Sequence, residues 1–92
     1  MQINKYFYDN INIYFLHSTE KIDQNTIMQK KFCKMRHIDC SNNDKINDLK
    51  HMANTLEHLK CRGDKCAINQ DCISNLNRLK KLDCYENIKI ND

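Results

Sequence analysis

Two short spacings gather the residues of this chain that can do chemistry. His37-Ile38-Asp39-Cys40 and His58-Leu59-Lys60-Cys61 both read H-x2-C. On a helix, residues three apart share a face, so each pair offers one imidazole and one thiolate. His37, Cys40, His58 and Cys61 would then make a tetrahedral zinc set in an intracellular adaptor. Against that reading, the knuckle spacing C-x2-C is absent and further cysteines are left without a role. The competing use of sulfur is oxidation. Six cysteines in a chain of 92 residues read as a disulfide framework of the secreted kind, with no metal and no cofactor.

The stretch Leu59 to Cys66, LKCRGDKC, holds the only glycine, within an Arg62-Gly63-Asp64 tripeptide between two cysteines. A bonded loop at an exposed tip would restrain the guanidinium and the carboxylate for a cell-surface partner such as an integrin. The plainer reading is a polar turn connecting two helices. Catalysis finds no support. There is no glycine-rich phosphate loop, and Ser18, Ser41 and Ser74 lack a nucleophile-elbow setting. The chain therefore reads as no enzyme.

These groups need positioning by a small and lean scaffold. One domain, 1–92, is expected, and a chain of this size buries only a little over ~60% of its unfolded surface. Mean hydropathy is −0.80, and valine and tryptophan are absent. Three crosslinks at roughly 2–4 kcal/mol each would rival the net stability of such a domain. The N-terminal MQINKYFYDNINIYF has no continuous apolar core, so it is not a signal peptide. The expectation is a mature secreted form with Met1 added for expression. Nothing approaches a membrane span, and no N-x-S/T sequon is present. The net charge of +3 is dispersed, and Gln29 to His37 reads as a solvated helix face rather than a nucleic-acid site.

Proline is absent, and asparagine takes over as punctuation. Few turn-formers favour a few long helices, and no internal repeat of useful length is apparent. Apolar spacings of three and four predict helices over about Ile3 to Leu16, Gln24 to His37, Ile46 to Leu59 after an SNND cap, and Cys66 to Tyr85. Lys60 and Gly63 would end the third, which makes the last two an antiparallel hairpin with CRGDKC at its tip. The expected fold is all-α: a disulfide-linked bundle of three to four helices.

Helix geometry limits the crosslinks. Cys72 and Cys84 on one helix would lie about 18 Å apart at 1.5 Å per residue, and a disulfide needs about 7 Å or less. The favoured set is Cys33–Cys72, Cys40–Cys84 and Cys61–Cys66, with a local Cys33–Cys40 bond as the main rival.

The first four cysteines fall as C-x6-C-x20-C-x4-C, and Tyr8 to Asn12 reads YDNIN. Together these resemble insect chemosensory proteins, whose pattern is C-x6-C-x18-C-x2-C on an all-α scaffold. Leu49-Lys50 and Gln70 also stand at that family's distances from the cysteines. The resemblance implies a carrier of small apolar ligands, with a pocket lined by Ile46, Leu49, Met52, Leu56, Leu76 and Leu79. The plain alternative is that these six fill the core. It also implies that the first two cysteines bond each other and the second two likewise, which would strand Cys72 and Cys84. Both later spacings are two residues longer than in the family. The C-terminal C-x11-C-Y-x-x-I is similar to the last helix of short-chain helical cytokines. The sequence thus points to a secreted, monomeric, non-enzymatic protein that works by binding. The leading role is an effector, toxin-like or cytokine-like ligand of a protein partner, and the alternative is a hydrophobic carrier.

Overall fold

The computed structural model describes residues 11–90. Within them the chain makes four short strands: β1 (Phe15–Leu16), β2 (His37–Asp39), β3 (His58–Lys60) and β4 (Lys81–Asp83). They form one sheet in the order β1-β2-β3-β4, every neighbouring pair parallel. Register pairs Phe15 with His37, His37 with His58 and His58 with Lys81, so successive strands start 22, 21 and 23 residues apart. The molecule is a small α/β-type solenoid, not an all-α bundle. Its last two units lie parallel, not as an antiparallel hairpin. An internal repeat does exist, and it organises the whole described chain.

The repeat is written in the buried residues. Met35, Ile38, Cys40, Asn43 and Ile46 occupy one coil, and Leu79, Leu82, Cys84, Asn87 and Ile90 recur at identical spacing two coils later. The coil between them carries Leu56, Leu59, Cys61, Cys66 and Ile68, longer by one residue at its turn. Of these fifteen positions, all but Leu79, Leu82 and Cys84 at the β4 end are buried. Ile27, Phe32, Leu49, Met52, Cys72 and Leu76 close the core from the return side of each coil. Each coil alone cannot bury its apolar edge. Stacking makes one continuous interior, as repeat architectures require.

The helical reading fails because of this winding. Down the second and third coils, inward residues follow one another at three, two, three, three, three, three, four and three positions, from Met35 to Leu59. A tight coil turns one side chain inward at each corner, and that spacing mimics a helix stripe. The regular helix is confined to α1 (Gln24–Ile27) and α2 (Gln70–Ser74), with 3-10 turns at Lys30–Phe32 and Lys50–Met52. Asp23 and Asn69 cap α1 and α2, accepting from Thr26 N at 2.8 Å and Cys72 N at 3.0 Å. The segments expected to be helical over Gln24 to His37, Ile46 to Leu59 and Cys66 to Tyr85 each end instead in a strand. The expected helix from Ile3 falls partly outside the described residues, and its remainder runs into β1.

Asparagine does more than punctuate. Asn43, 5% exposed, donates from Nδ2 to the Thr19 carbonyl (2.7 Å), Thr19 Oγ1 (3.1 Å) and the Ile22 carbonyl (3.0 Å), while its Oδ1 accepts from Lys45 N (2.8 Å). Asn87, at the equivalent place, donates to the carbonyls of Cys61 (2.9 Å) and Ile68 (3.1 Å) and accepts from Lys89 N. Each amide satisfies turn carbonyls of the preceding coil that burial would otherwise leave unpaired. In the SNND segment, expected to cap a helix, Asn43 is thus an inter-coil tie.

Candidate binding face

Strand alternation sets two faces. Ile38 and Cys40, Leu59 and Cys61 point into the core, so the residues beside them point out. Register then builds two outward columns: Phe15, His37, His58 and Lys81 in one, and His17, Asp39, Lys60 and Asp83 in the next. The sheet surface is hollowed into a concavity of about 910 Å³, lined by His17, His37, Asp39, His58, Lys60 and Lys81 together with Lys80 and Asp83.

Contacts hold the first column in order. The Phe15 ring meets His37 edge-on with centroids 4.8 Å apart, and His37 stacks on His58 at 3.9 Å. Lost hydration pushes the His58 imidazole below its ordinary pKa, with like charge from His37 and Lys81 adding to the effect. Phe15 is 52% exposed, an aromatic that the core does not use. On the second column, Asp83 accepts from Arg62 Nε (2.8 Å) and pairs with its Nη2 (2.6 Å), which holds the carboxyl below the usual carboxylate range. Lys80 lies 3.9 Å from Glu57. Lys60 and Lys81 make no ion pair among the described residues.

The two H-x2-C spacings are real, but the residues do not converge. On a strand, an odd separation puts them on opposite faces. His37 and His58 lie on the outward face, whereas Cys40 and Cys61 are buried beneath it. No group of three or more His, Cys, Asp or Glu among the described residues could hold a metal. A zinc set of His37, Cys40, His58 and Cys61 is therefore not assembled. The signal for the face was nonetheless in the sequence. HIDC, HLKC and KLDC recur at residues 37, 58 and 81, each placing a basic or imidazole side chain outward, with Ile38 and Leu59 buried beside it and Leu82 exposed on the last strand.

The RGD segment forms a turn of the coil, with Arg62 and Asp64 exposed on it. Arg62 is held by Asp83, and its guanidinium sits 6.0 Å from the Tyr85 ring centroid. Gly63 has φ +91° and donates to the Tyr85 carbonyl, and the Asp64 carbonyl accepts from Lys89 Nζ at 2.7 Å. Asn42 (φ 57°) and Glu86 (φ 61°) occupy the same place in the coils on either side, so these three successive coils each place a left-handed residue here. A Cβ on Gly63 would also fall 2.0 Å from Asn42 Oδ1 of the stacked coil. The glycine answers a geometric need of the turn.

All six thiols are free. Continuing the register places Cys61 between Cys40 and Cys84, so that last pair is two strand spacings, about 9–10 Å, apart. Cysteines need Cα atoms within about 7 Å to bond. Cys61 and Cys66 both lie in the core, and burial pushes Cys61 up to about 12, with Cys66 and then Cys84 adding like charge. Cys40 and Cys72 are likewise raised by burial. Cys33 is half-buried beside the Lys30–Phe32 turn, and Cys72 is buried in α2.

Ile46, Leu49, Met52, Leu56 and Leu76 are buried and Leu79 is half-buried. All six belong to one packed core, and none lines the surface concavity. Compared with models of protein families, with curated proteins and with solved structures, the chain matches none. The resemblance to chemosensory proteins and helical cytokines gains nothing from these comparisons, and the all-α scaffold that it implied is not the fold.

Proposed function

We propose that this protein is a non-enzymatic binding module that engages a protein partner through the hollowed outer face of its sheet. The observation that carries the reading is the composition of that face. Four stacked strands present Phe15, His37, His58, Lys60 and Lys81 in ordered outward columns that lie outside the packed core. Solenoids use such extended surfaces for recognition. The two matching coils read (M/L)-x-x-(I/L)-x-C-x-x-N-x-x-I, from Met35 and from Leu79, similar to the leucine-rich-repeat form L-x-x-L-x-L-x-x-N/C-x-L with one more residue before the last apolar position. A peptide library displayed against the protein tests the reading. Selected binders should be lost on charge reversal at Lys60 and Lys81 and kept on reversal of exposed Lys50 and Asp71, on the return side. Equal loss from both sides would overturn it.

A further inference from the structure

Building on that reading of the face, we infer that its partner is an acidic protein segment, and that the stacked His37–His58 pair makes the interaction tighten as pH falls. Charge on the face motivates the first part. Lys60, Lys80 and Lys81 line the concavity against the carboxylates of Asp39 and Asp83. Asp83 is already engaged by Arg62, and Asp39 Oδ1 already accepts from Ser41 N at 2.9 Å. Lys80 is partly answered by Glu57, Lys60 lies beside Asp39 and Asp83 in its column and attracts Asp83 without a direct ion pair, and Lys81 has no direct counterion among the described residues. A segment bearing aspartate or glutamate would supply it. Phe15 offers such a segment an apolar edge at the end of the column.

Geometry motivates the second part. With ring centroids 3.9 Å apart, the first proton taken up by the imidazole pair opposes the second. The charged groups around the pair are Lys80, Lys81 and Asp83 on or beside β4, Glu57 and Lys60 on or beside β3, Asp39 on β2, and His17 just after β1. Lys81 and Lys80 act against charge on His58 and only Glu57 favours it, so the free pair resists protonation. An arriving carboxylate relieves that resistance and raises the pair's proton affinity in the complex. The added binding is then fully present below the free-state titration and is lost as pH rises through the bound-state one. Partner aspartates, near pKa ~3.9, stay ionised throughout that range.

Poly-L-aspartate serves as the probe, at low ionic strength and between about pH 8 and about pH 5.5. Affinity should rise about tenfold over the range, the change expected if binding lifts the pair by about one pKa unit. The His37→Gln, His58→Gln double variant should keep the weaker binding seen at high pH and lose the rise. In the wild type, NMR titration of the two imidazole C–H signals should move to higher pH on adding the probe, a reading that needs no variant to fold. Binding that is independent of pH, yet weakened in the Lys60→Gln, Lys81→Gln double variant, would overturn the histidine role and leave the face intact. Binding unaffected by the lysine substitutions would overturn the face itself. Poly-L-lysine, as the control, should not bind.

Discussion

Asn43 offers the sharpest test of how the coils are held together. Replacing it with alanine removes three donated bonds and one accepted one, and leaves the carbonyls of Thr19 and Ile22 with fewer partners inside the protein. Each buried polar group stripped of its partner costs about 1–3 kcal/mol. The Thr19 carbonyl keeps its bond from Ile22 N while the Ile22 carbonyl loses its partner, which sets a loss of about 1–3 kcal/mol for Asn43→Ala, against a total of about 5–12 kcal/mol for a domain of this length. With a urea slope of roughly 1.5 kcal/mol/M, the midpoint should fall by about 0.7–2 M. Urea unfolding followed by far-ultraviolet circular dichroism reads this directly. Asn47→Ala is the matched control. Its side chain is exposed and makes no bond among the described residues, and only its backbone N donates, to Gln24 Oε1. That control should move stability by no more than about 0.5 kcal/mol. Equal midpoints for the two variants would refute the claim that buried asparagine ties one coil to the next.

Gly63→Ala should destabilise by about 1–2 kcal/mol, because φ +91° disfavours any Cβ and Asn42 must also give way; Glu86→Gly, at the equivalent left-handed place, should stabilise in the same urea assay. In the reduced native protein, iodoacetamide followed by peptide mass spectrometry should find half-buried Cys33 and Cys84 modified first. Cys40, Cys61 and Cys66 should react only on opening, since burial both shields them and holds their thiols protonated. Stability should decline as pH falls through about 6.5. Burial lowers the pKa of His51, whose Nε2 has no hydrogen-bond partner among the described residues, and His58 is lowered too, so the unfolded chain binds more protons in that window. The loss is complete below the folded-state values, and a His51→Leu variant in a thermal melt should flatten the slope. A separate loss should appear only in stronger acid, as Asp83 and Asp23 are protonated below their ordinary carboxylate range.

The sequence by itself determined the inventory: a lean interior, cysteines sharing space with Ile and Leu, asparagine in place of proline and glycine, and HIDC, HLKC and KLDC in parallel copies. It also marked Gly63 as a place where the chain must turn. What it could not settle was the period. Inward positions three or four apart satisfy a helix and a tightly wound coil equally, because both put one side chain per corner against a common interior. Only stacking chose between them. Backbone groups that a helix would satisfy within itself are here satisfied by the next coil, as when Cys40 N donates to Lys60 O and Cys61 N to Asp83 O. That choice decided the chemistry as well. On a helix His37 and Cys40 would share a face, whereas on a strand they are divided by the sheet, with the imidazoles set outward and the sulfur sealed inside.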